Sequence, residues 1–319
     1  MTMNNTCNIC PNHCNINKNT ICGQKPTLDS ENIIYTSTVA VDPIEKKPLY
    51  HYLPGSKTLS VGSVGCNLGC LNCQNHSIAQ PVDASNVFQQ KYSPSDIVGQ
   101  AKYKKTPSIS WTYNEPTIHP KWIIKTSQIA KQSNIKTILV TNGYNSQETL
   151  DSLVDYVDAV NVDLKSISDD FYREVCKGSV DDVLNAIEFY YSNGVHVEIT
   201  NLLIPGYNDD LNSIRNLIKY VKGVSTYIPL HFTRFYPQFK MQDVEITPDK
   251  TIDKALDLAK YLGLKYVYPG NTYPSYKDNT YCRNCRHLLV QREGYNVKVN
   301  ISQQNACNNC NHKTDVILE

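Results

Sequence analysis

Charge imbalance is nearly absent from this sequence: 31 Lys and Arg stand against 30 Asp and Glu, for a formal net charge of +1. With no basic or acidic excess there is no electrostatic case for nucleic acid or a membrane surface as partner. No apolar run is long enough to span a bilayer, which excludes a transmembrane helix. The opening residues, MTMNNTCNICPNHC, have neither the basic nor the apolar region of a secretory signal, so a cytoplasmic location is expected. Low-complexity stretches and repeats with periods of about 20–50 residues are missing too.

Cysteine, by contrast, is plentiful: 12 in 319 residues. In a reducing compartment clustered cysteines read as metal ligands or redox groups rather than structural disulfides. All but Cys176 fall into three local groups, and Cys176 reads as a buried small side chain. The first group, Cys7, Cys10, Cys14 and Cys22, opens a segment (1–54) too short to build a core of its own. A cysteine-bound knob is expected there, around zinc or an auxiliary iron–sulfur cluster; the spacing leaves both open. The last group, Cys282, Cys285, Cys307 and Cys310, has the spacing C-x2-C-x21-C-x2-C within residues 273–319. That is a metal-ribbon signal. Zinc held by four thiolates is the default and a single rubredoxin-type iron the alternative. Between the pairs, HLLVQREGYNVKVNI alternates like a small hairpin; His287 and His312 follow the knuckles as exposed or neighbouring residues.

Residues 55–272 alternate between strand-like and helix-like patterns. Strands are expected at 59–64, 108–113, 137–142, 159–164, 196–204, 228–235 and 265–270. Helices are expected at 94–102, with Ser93 as cap and Pro94 at the first position, and at 120–131, 181–193, 209–221 and 248–262. The class is α/β with a parallel sheet. Six or more units suggest a full or partial TIM-like (β/α) barrel, whose active site lies at the C-terminal strand ends; periodicity alone does not separate a barrel from an open sheet.

The middle cysteine group sits in the loop after the first of these strands: Gly65-Cys66-Asn67-Leu68-Gly69-Cys70-Leu71-Asn72-Cys73, or C-x3-C-x2-C. A four-iron cluster normally takes four cysteines. Three ligands leave one iron open to an amine and a carboxylate, which the methionine end of S-adenosylmethionine (SAM) offers. One electron from such a cluster cleaves SAM to a 5′-deoxyadenosyl radical that abstracts hydrogen from an unreactive C–H bond; the protein orients the reactants and excludes water. The competing reading is a zinc knuckle completed by His76, which the position of the triplet after a barrel strand disfavours.

That spacing is the signature of the radical SAM superfamily, which the chain resembles. The stretch DPIEKKPLYHYLPGSKTLSVGSVGCNLGCLNCQN resembles the AmmeMemoRadiSam-system enzymes, relatives of pyruvate formate-lyase activating enzymes. The resemblance continues through WTYNEPT, VTNGY, NVDLK, LLIPGYND, HFTRFYP and YVYPGN and takes in both outer cysteine modules. It implies a radical SAM barrel with a 4Fe-4S cluster on Cys66, Cys70 and Cys73. Tyr113-Asn114-Glu115-Pro116 stands where activating enzymes have Gly-Gly-Glu-Pro, so Asn114 and Glu115 are implied SAM contacts. Thr141 and Asn142 are implied to line the ribose or carboxylate region. Asp163 and Lys165 match an Asp-x-Lys near SAM, and Ile204, Pro205 and Gly206 match a segment shaping the nucleoside site. His231 matches a strand-end histidine near the active site. Asn201 and Arg234 join this set as polar residues near expected strand ends, whereas His51, His119 and His196 read as structural.

Three activities are compatible with these features. One is a radical SAM oxidoreductase acting on an unidentified small molecule or macromolecule. The second is a glycyl-radical-enzyme activase, which the extra cysteine modules argue against. The third is a non-catalytic zinc-ribbon adaptor, which the triplet argues against. Since no ferredoxin domain is fused to the barrel, an external flavodoxin- or ferredoxin-type donor is expected.

Overall fold

Aliphatic and β-branched runs such as KTILVT and AVNVD, buried on both faces, are the composition of inner parallel strands. In the computed structural model, which describes residues 5–23, 32–81, 86–272 and 278–319, they form the centre of an eight-stranded sheet. The strands are β1 (Ile34–Thr36), β2 (Thr38–Pro43), β3 (Lys57–Gly62), β4 (Gln90–Tyr92), β5 (Ser108–Trp111), β6 (Lys136–Thr141), β7 (Ala159–Asp163), β8 (His196–Leu203), β9 (Leu230–Arg234) and β10 (Val267–Gly270), followed by β11 (Thr280–Tyr281), β12 (Leu288–Glu293) and β13 (Asn296–Val299). The main sheet runs β2-β3-β5-β6-β7-β8-β9-β10. All its pairings are parallel except the antiparallel β2–β3 edge. Strand order follows chain order throughout. Winding in one direction is barrel topology; a doubly wound sheet reverses at a switch point. Among the described residues β2 and β10 do not pair, so the barrel is partial. Pro269, in β10, lies on an edge, where a missing N–H is tolerated.

The helices are α1 (His76–Ala79), α2 (Pro94–Tyr103), α3 (Pro120–Lys131), α4 (Gln147–Leu153), α5 (Asp169–Phe171), α6 (Asp181–Ser192), α7 (Leu211–Val224) and α8 (Asp249–Tyr261). α2 opens with the expected cap. Ser93 Oγ accepts from Asp96 N–H, Asp96 returns a bond to Ser93 N–H, and Pro94 takes the first position. α7 buries Ile214, Leu217, Ile218 and Val221. That i, i+3, i+4, i+7 stripe contributes roughly 1.5–3 kcal/mol per side chain.

Within segment 1–54 the cysteines are followed by β2, which joins the main sheet along its whole length, and by residues 44–56, which pack beneath the barrel. Ile44, Leu49, Tyr52 and Leu53 cluster with Ile138 and Ala159, near the N-terminal ends of β6 and β7. The alternation in TVAV was the available signal. At the other end of the chain the expected hairpin is present as β12–β13. The expected start of that module, at residue 273, lies outside the described residues.

Candidate active site at the barrel mouth

The cysteine triplet follows β3, at the C-terminal end of the barrel. Its loop is braced from several sides. Gly69 N–H donates to Cys176 O (2.8 Å) and Leu71 N–H to Val175 O (2.9 Å), pinning the loop to a π-helical turn at Tyr172–Cys176; such turns recur at functional sites. Asn67 Nδ2 donates to Tyr144 O (2.6 Å), Gln80 Nε2 to Cys70 O (3.0 Å), and Asn142 Nδ2 to both Asn67 Oδ1 (2.8 Å) and Cys66 Sγ (3.6 Å). Asn67 and Gln80 were not singled out in the sequence, although they lie between and just beyond the triplet cysteines.

Asn114 and Glu115 were expected to offer polar atoms to SAM; here their side chains are committed internally. Asn114 Oδ1 accepts from Ser63 N–H (2.9 Å), and its Nδ2 donates to Ser63 Oγ and Gly65 O, both at 2.8 Å. Glu115 accepts from Thr117 N–H and Oγ1, from Thr141 Oγ1 (2.7 Å) and from Asn142 N–H (2.7 Å). Burial pushes the Glu115 carboxyl up, against the pull of these donors. The pair therefore ties β3, β5 and β6 together under the cluster loop. Tyr113 stands where the related motif has glycine, and its φ of 75° shows why glycine suits that place. The tyrosine is held by its hydroxyl, which donates to Asp42 Oδ2 (2.6 Å), and by Lys47 Nζ, 4.6 Å from its ring centre. A Cβ on Gly62 would approach this ring to 2.9 Å, so that glycine makes room for it. Burial opposes the Asp42 carboxylate, yet Lys47, Tyr113, Lys46 and Ser60 hold it well below the usual range.

At the end of β7, Asp163 and Lys165 pair at 3.1 Å. Burial acts to neutralise Lys165, but Asp163 and the nearby Cys70 and Cys176 sulfurs reverse this and hold the ammonium well above its ordinary value. Cys176, expected to stand alone, is buried beside Cys70. Its thiol donates to Cys70 and lowers the Cys70 pKa; burial opposes this and Lys165 assists. Lys165 is further fixed through its backbone: its N–H donates to Tyr172 OH (3.1 Å), and its carbonyl accepts from Asn201 (3.1 Å) and Asn208 (2.7 Å). After β8, Pro205-Gly206 forms a turn, with Tyr207 N–H bonded to Ile204 O (3.1 Å) and Gly206 at φ 78°. Arg234, at the end of β9, pairs with Asp249.

His231 does not join this set. It is the second residue of β9, near the N-terminal end of the strand, where Nε2 donates to Glu198 Oε2 (2.7 Å). Glu198 also accepts from His196 Nε2 (3.0 Å) and from the N–H groups of Tyr50 (3.0 Å) and His51 (2.7 Å), in the segment entering from below β3. Burial pushes Glu198 up, but the two imidazoles hold it well below the usual range. His231 therefore belongs to the floor of the barrel. A strand histidine reads the same in sequence whether it sits at the top or the bottom of a five-residue strand.

The two four-cysteine groups differ in spacing. At the C-terminus Cys282, Cys285, Cys307 and Cys310 bring their sulfurs within 4.8 Å of one another, with Cys282–Cys310 at 3.7 Å and Cys285–Cys307 at 3.6 Å. Four sulfurs about 2.3 Å from one tetrahedral ion stand about 3.8 Å apart, so these residues fit a single ion. Among the described residues no other three metal-ligating side chains gather so closely, the triplet and the N-terminal four included. A cubane carries each thiolate on a different iron, so its ligands stand farther apart than those of one ion. The triplet, three soft thiol donors on one loop, fits that group. In the N-terminal group Cys10 is buried; burial and the neighbouring Cys22, Cys7 and Cys14 push its thiol up to about 12.

A family model for the radical SAM superfamily matches residues 60–218, which span the triplet and the strands from β5 to β8. The chain belongs to the radical SAM superfamily. It is 38% identical to the uncharacterized protein MJ0808 of Methanocaldococcus jannaschii, over 98% of this chain and 95% of that one. It is 25% identical to the pyruvate formate-lyase-activating enzyme of Clostridium pasteurianum, over 66% of this chain and 91% of the relative. Among solved structures, a radical SAM methyltransferase from Sphaerobacter thermophilus superposes with a TM-score of 0.53 at 14% identity, covering 69% of this chain and 68% of that one. The radical SAM fold thus accounts for the partial barrel. No helix among the described residues is long and apolar enough to cross a membrane.

Proposed function

We propose that the protein is a radical SAM oxidoreductase acting on a substrate held at the barrel mouth. The observation that carries this reading is the position of Cys66, Cys70 and Cys73: three thiols within eight residues, on a braced loop at the C-terminal end of β3. When bound, a 4Fe-4S cluster with SAM on its open iron supplies a 5′-deoxyadenosyl radical for hydrogen abstraction. The chain's own residues hold, orient and enclose. Asn142 donates to Cys66 and fixes Asn67; Glu115 orients Thr141 and Asn142 through their hydroxyl and N–H. Lys165 keeps its proton on Nζ beside Asp163 and so puts a positive charge near Cys70, which offsets the negative charge of a thiolate-bound cluster. Asp163, Thr141, Asn142, Ile204 and Gly206 border the space in which SAM is proposed to sit, and an external flavodoxin or ferredoxin is proposed as donor. Zinc is the proposed occupant of the C-terminal four-cysteine site.

A glycyl-radical activase is the second reading, favoured by the relatives named as activating enzymes. The likeness to them covers 66% of this chain, and a similar 24% identity over 66% of the chain reaches a 7-carboxy-7-deazaguanine synthase. That breadth of chemistry favours a substrate particular to this chain and its added modules. The test is 5′-deoxyadenosine formation from SAM by anaerobically reconstituted, dithionite-reduced protein, beside Cys70→Ala. Product from the wild type alone is expected; equal product from both would sink the reading. A persistent protein radical in a partner, seen by electron paramagnetic resonance, would favour the activase.

A further inference from the structure

The first three N-terminal cysteines lie on a small closed loop of their own. Thr6 and Asn15 bridge antiparallel, Ile16 N–H donates to Asn5 O (2.9 Å) and Cys7 N–H to Cys14 O (2.8 Å), so residues 5–16 close as a small loop. Cys7 and Cys14 are joined by that backbone bond at its neck, and Cys10, between them, is buried. The tip is docked on the barrel mouth. Ser146 N–H and Oγ and Thr149 Oγ1 donate to the Ile9 carbonyl, the last at 2.8 Å. Asn12 Nδ2 donates to the Asn67 carbonyl (2.7 Å), between Cys66 and Cys70. One side-chain bond therefore links the N-terminal cysteine loop to the triplet loop.

We propose that Cys7, Cys10, Cys14 and Cys22 hold a second four-iron cluster, seated against the loop of the first, rather than a zinc ion. The chain supplies its own standards for this choice. The C-terminal four gather their sulfurs as closely as a single tetrahedral ion requires. The N-terminal four do not, and neither does the triplet. All-thiolate donors too widely spread for one ion suit a cubane, which distributes them over its irons. The position fits as well: a redox-active centre beside the triplet has a use that a zinc ion there lacks.

The decisive measurement is acid-labile sulfide, together with iron and zinc, in the full-length chain and in the triple variant Cys66→Ala/Cys70→Ala/Cys73→Ala, both reconstituted anaerobically. Sulfide counts clusters alone, because neither zinc nor a rubredoxin-type iron carries any. The expected result is about eight sulfides per wild-type chain and about four in the triple variant, with a paramagnetic signal on reduction. Adding Cys7→Ser and Cys22→Ser should remove the rest. Absence of sulfide from the triple variant, with zinc rising to about two per chain, overturns the proposal. Should the triple variant not fold, wild type decides: about eight sulfides support the second cluster and about four exclude it. Equal sulfide in wild type and a folded triple variant would fault the triplet reading instead, leaving this one standing.

Discussion

The two ends of the barrel use the same strands in opposite ways. At the floor, Glu198 gathers two histidines and two backbone N–H groups, while Arg292 from β12 donates to Tyr50 O and to Thr280 Oγ1 (2.9 Å). Each of these bonds joins protein to protein, and Tyr50 and His51, within residues 44–56, supply two of the donors. At the mouth, Asn67, Asn114, Glu115 and Asn142 are just as engaged, but what they hold is the loop of the three triplet thiols. Buried polar groups at the floor specify how the chain closes. Those at the mouth hold the triplet loop in place. The division matches the barrel rule that C-terminal strand ends carry chemistry and N-terminal ends carry stability.

The comparison is broken most sharply by Cys70→Ala. It should abolish cluster binding and SAM cleavage while leaving the urea midpoint little changed, as read by iron content, product assay and denaturation. Glu198→Ala should do the reverse. It leaves two imidazoles and two N–H groups buried without their acceptor, a loss of about 3–5 kcal/mol in unfolding free energy, with the cluster's absorption spectrum retained by the folded fraction. Asn142→Ala should lower SAM cleavage or cluster affinity by about 10–100-fold through its contacts to Cys66 and Asn67, with little effect on the floor.

The smallest effect concerns pH. His51 is fully enclosed, with Nδ1 facing Asp315 O (3.2 Å) and Nε2 facing Tyr268 OH (2.7 Å). Burial lowers its pKa from 6.5 to about 3. A folded-state value below the unfolded one means that this neutral form stabilises fully above about pH 6.5, and that the contribution is lost as pH falls toward 3. Unfolding free energy should therefore decline below pH 6.5 by at most about 1.4 kcal/mol per unit. Measured between pH 5 and 7, above the range in which Glu198 takes up a proton, His51→Gln should flatten that slope. An unchanged slope would place the titrating group elsewhere.

Much of this was open to reading along the chain. Strand and helix alternation gives the parallel α/β class because period and length are local properties, and α3 was bounded correctly from its Pro120 start and amphipathic stripe; that the sheet winds as a barrel was decided by the strand order. The triplet and the two C-terminal cysteine pairs are legible because spacing within each loop is itself local. The floor was not legible: Glu198 meets Tyr50 and His51 across nearly 150 residues, and no periodicity reports such a meeting. His231 was misplaced for that reason, and the bonds by which Asn114 and Glu115 join neighbouring strands were not visible either.

Sequence by itself determined the element types, the three cysteine groups and the membership of the triplet, all set by neighbours within about one turn or loop. Tertiary structure alone decided which polar strand residues face the mouth and which the floor, that Cys176 lies against Cys70, and that the N-terminal cysteine loop docks on the triplet loop. Those outcomes depend on barrel winding and on contacts between residues far apart in the chain, whose closure entropy is offset only once the whole core has assembled.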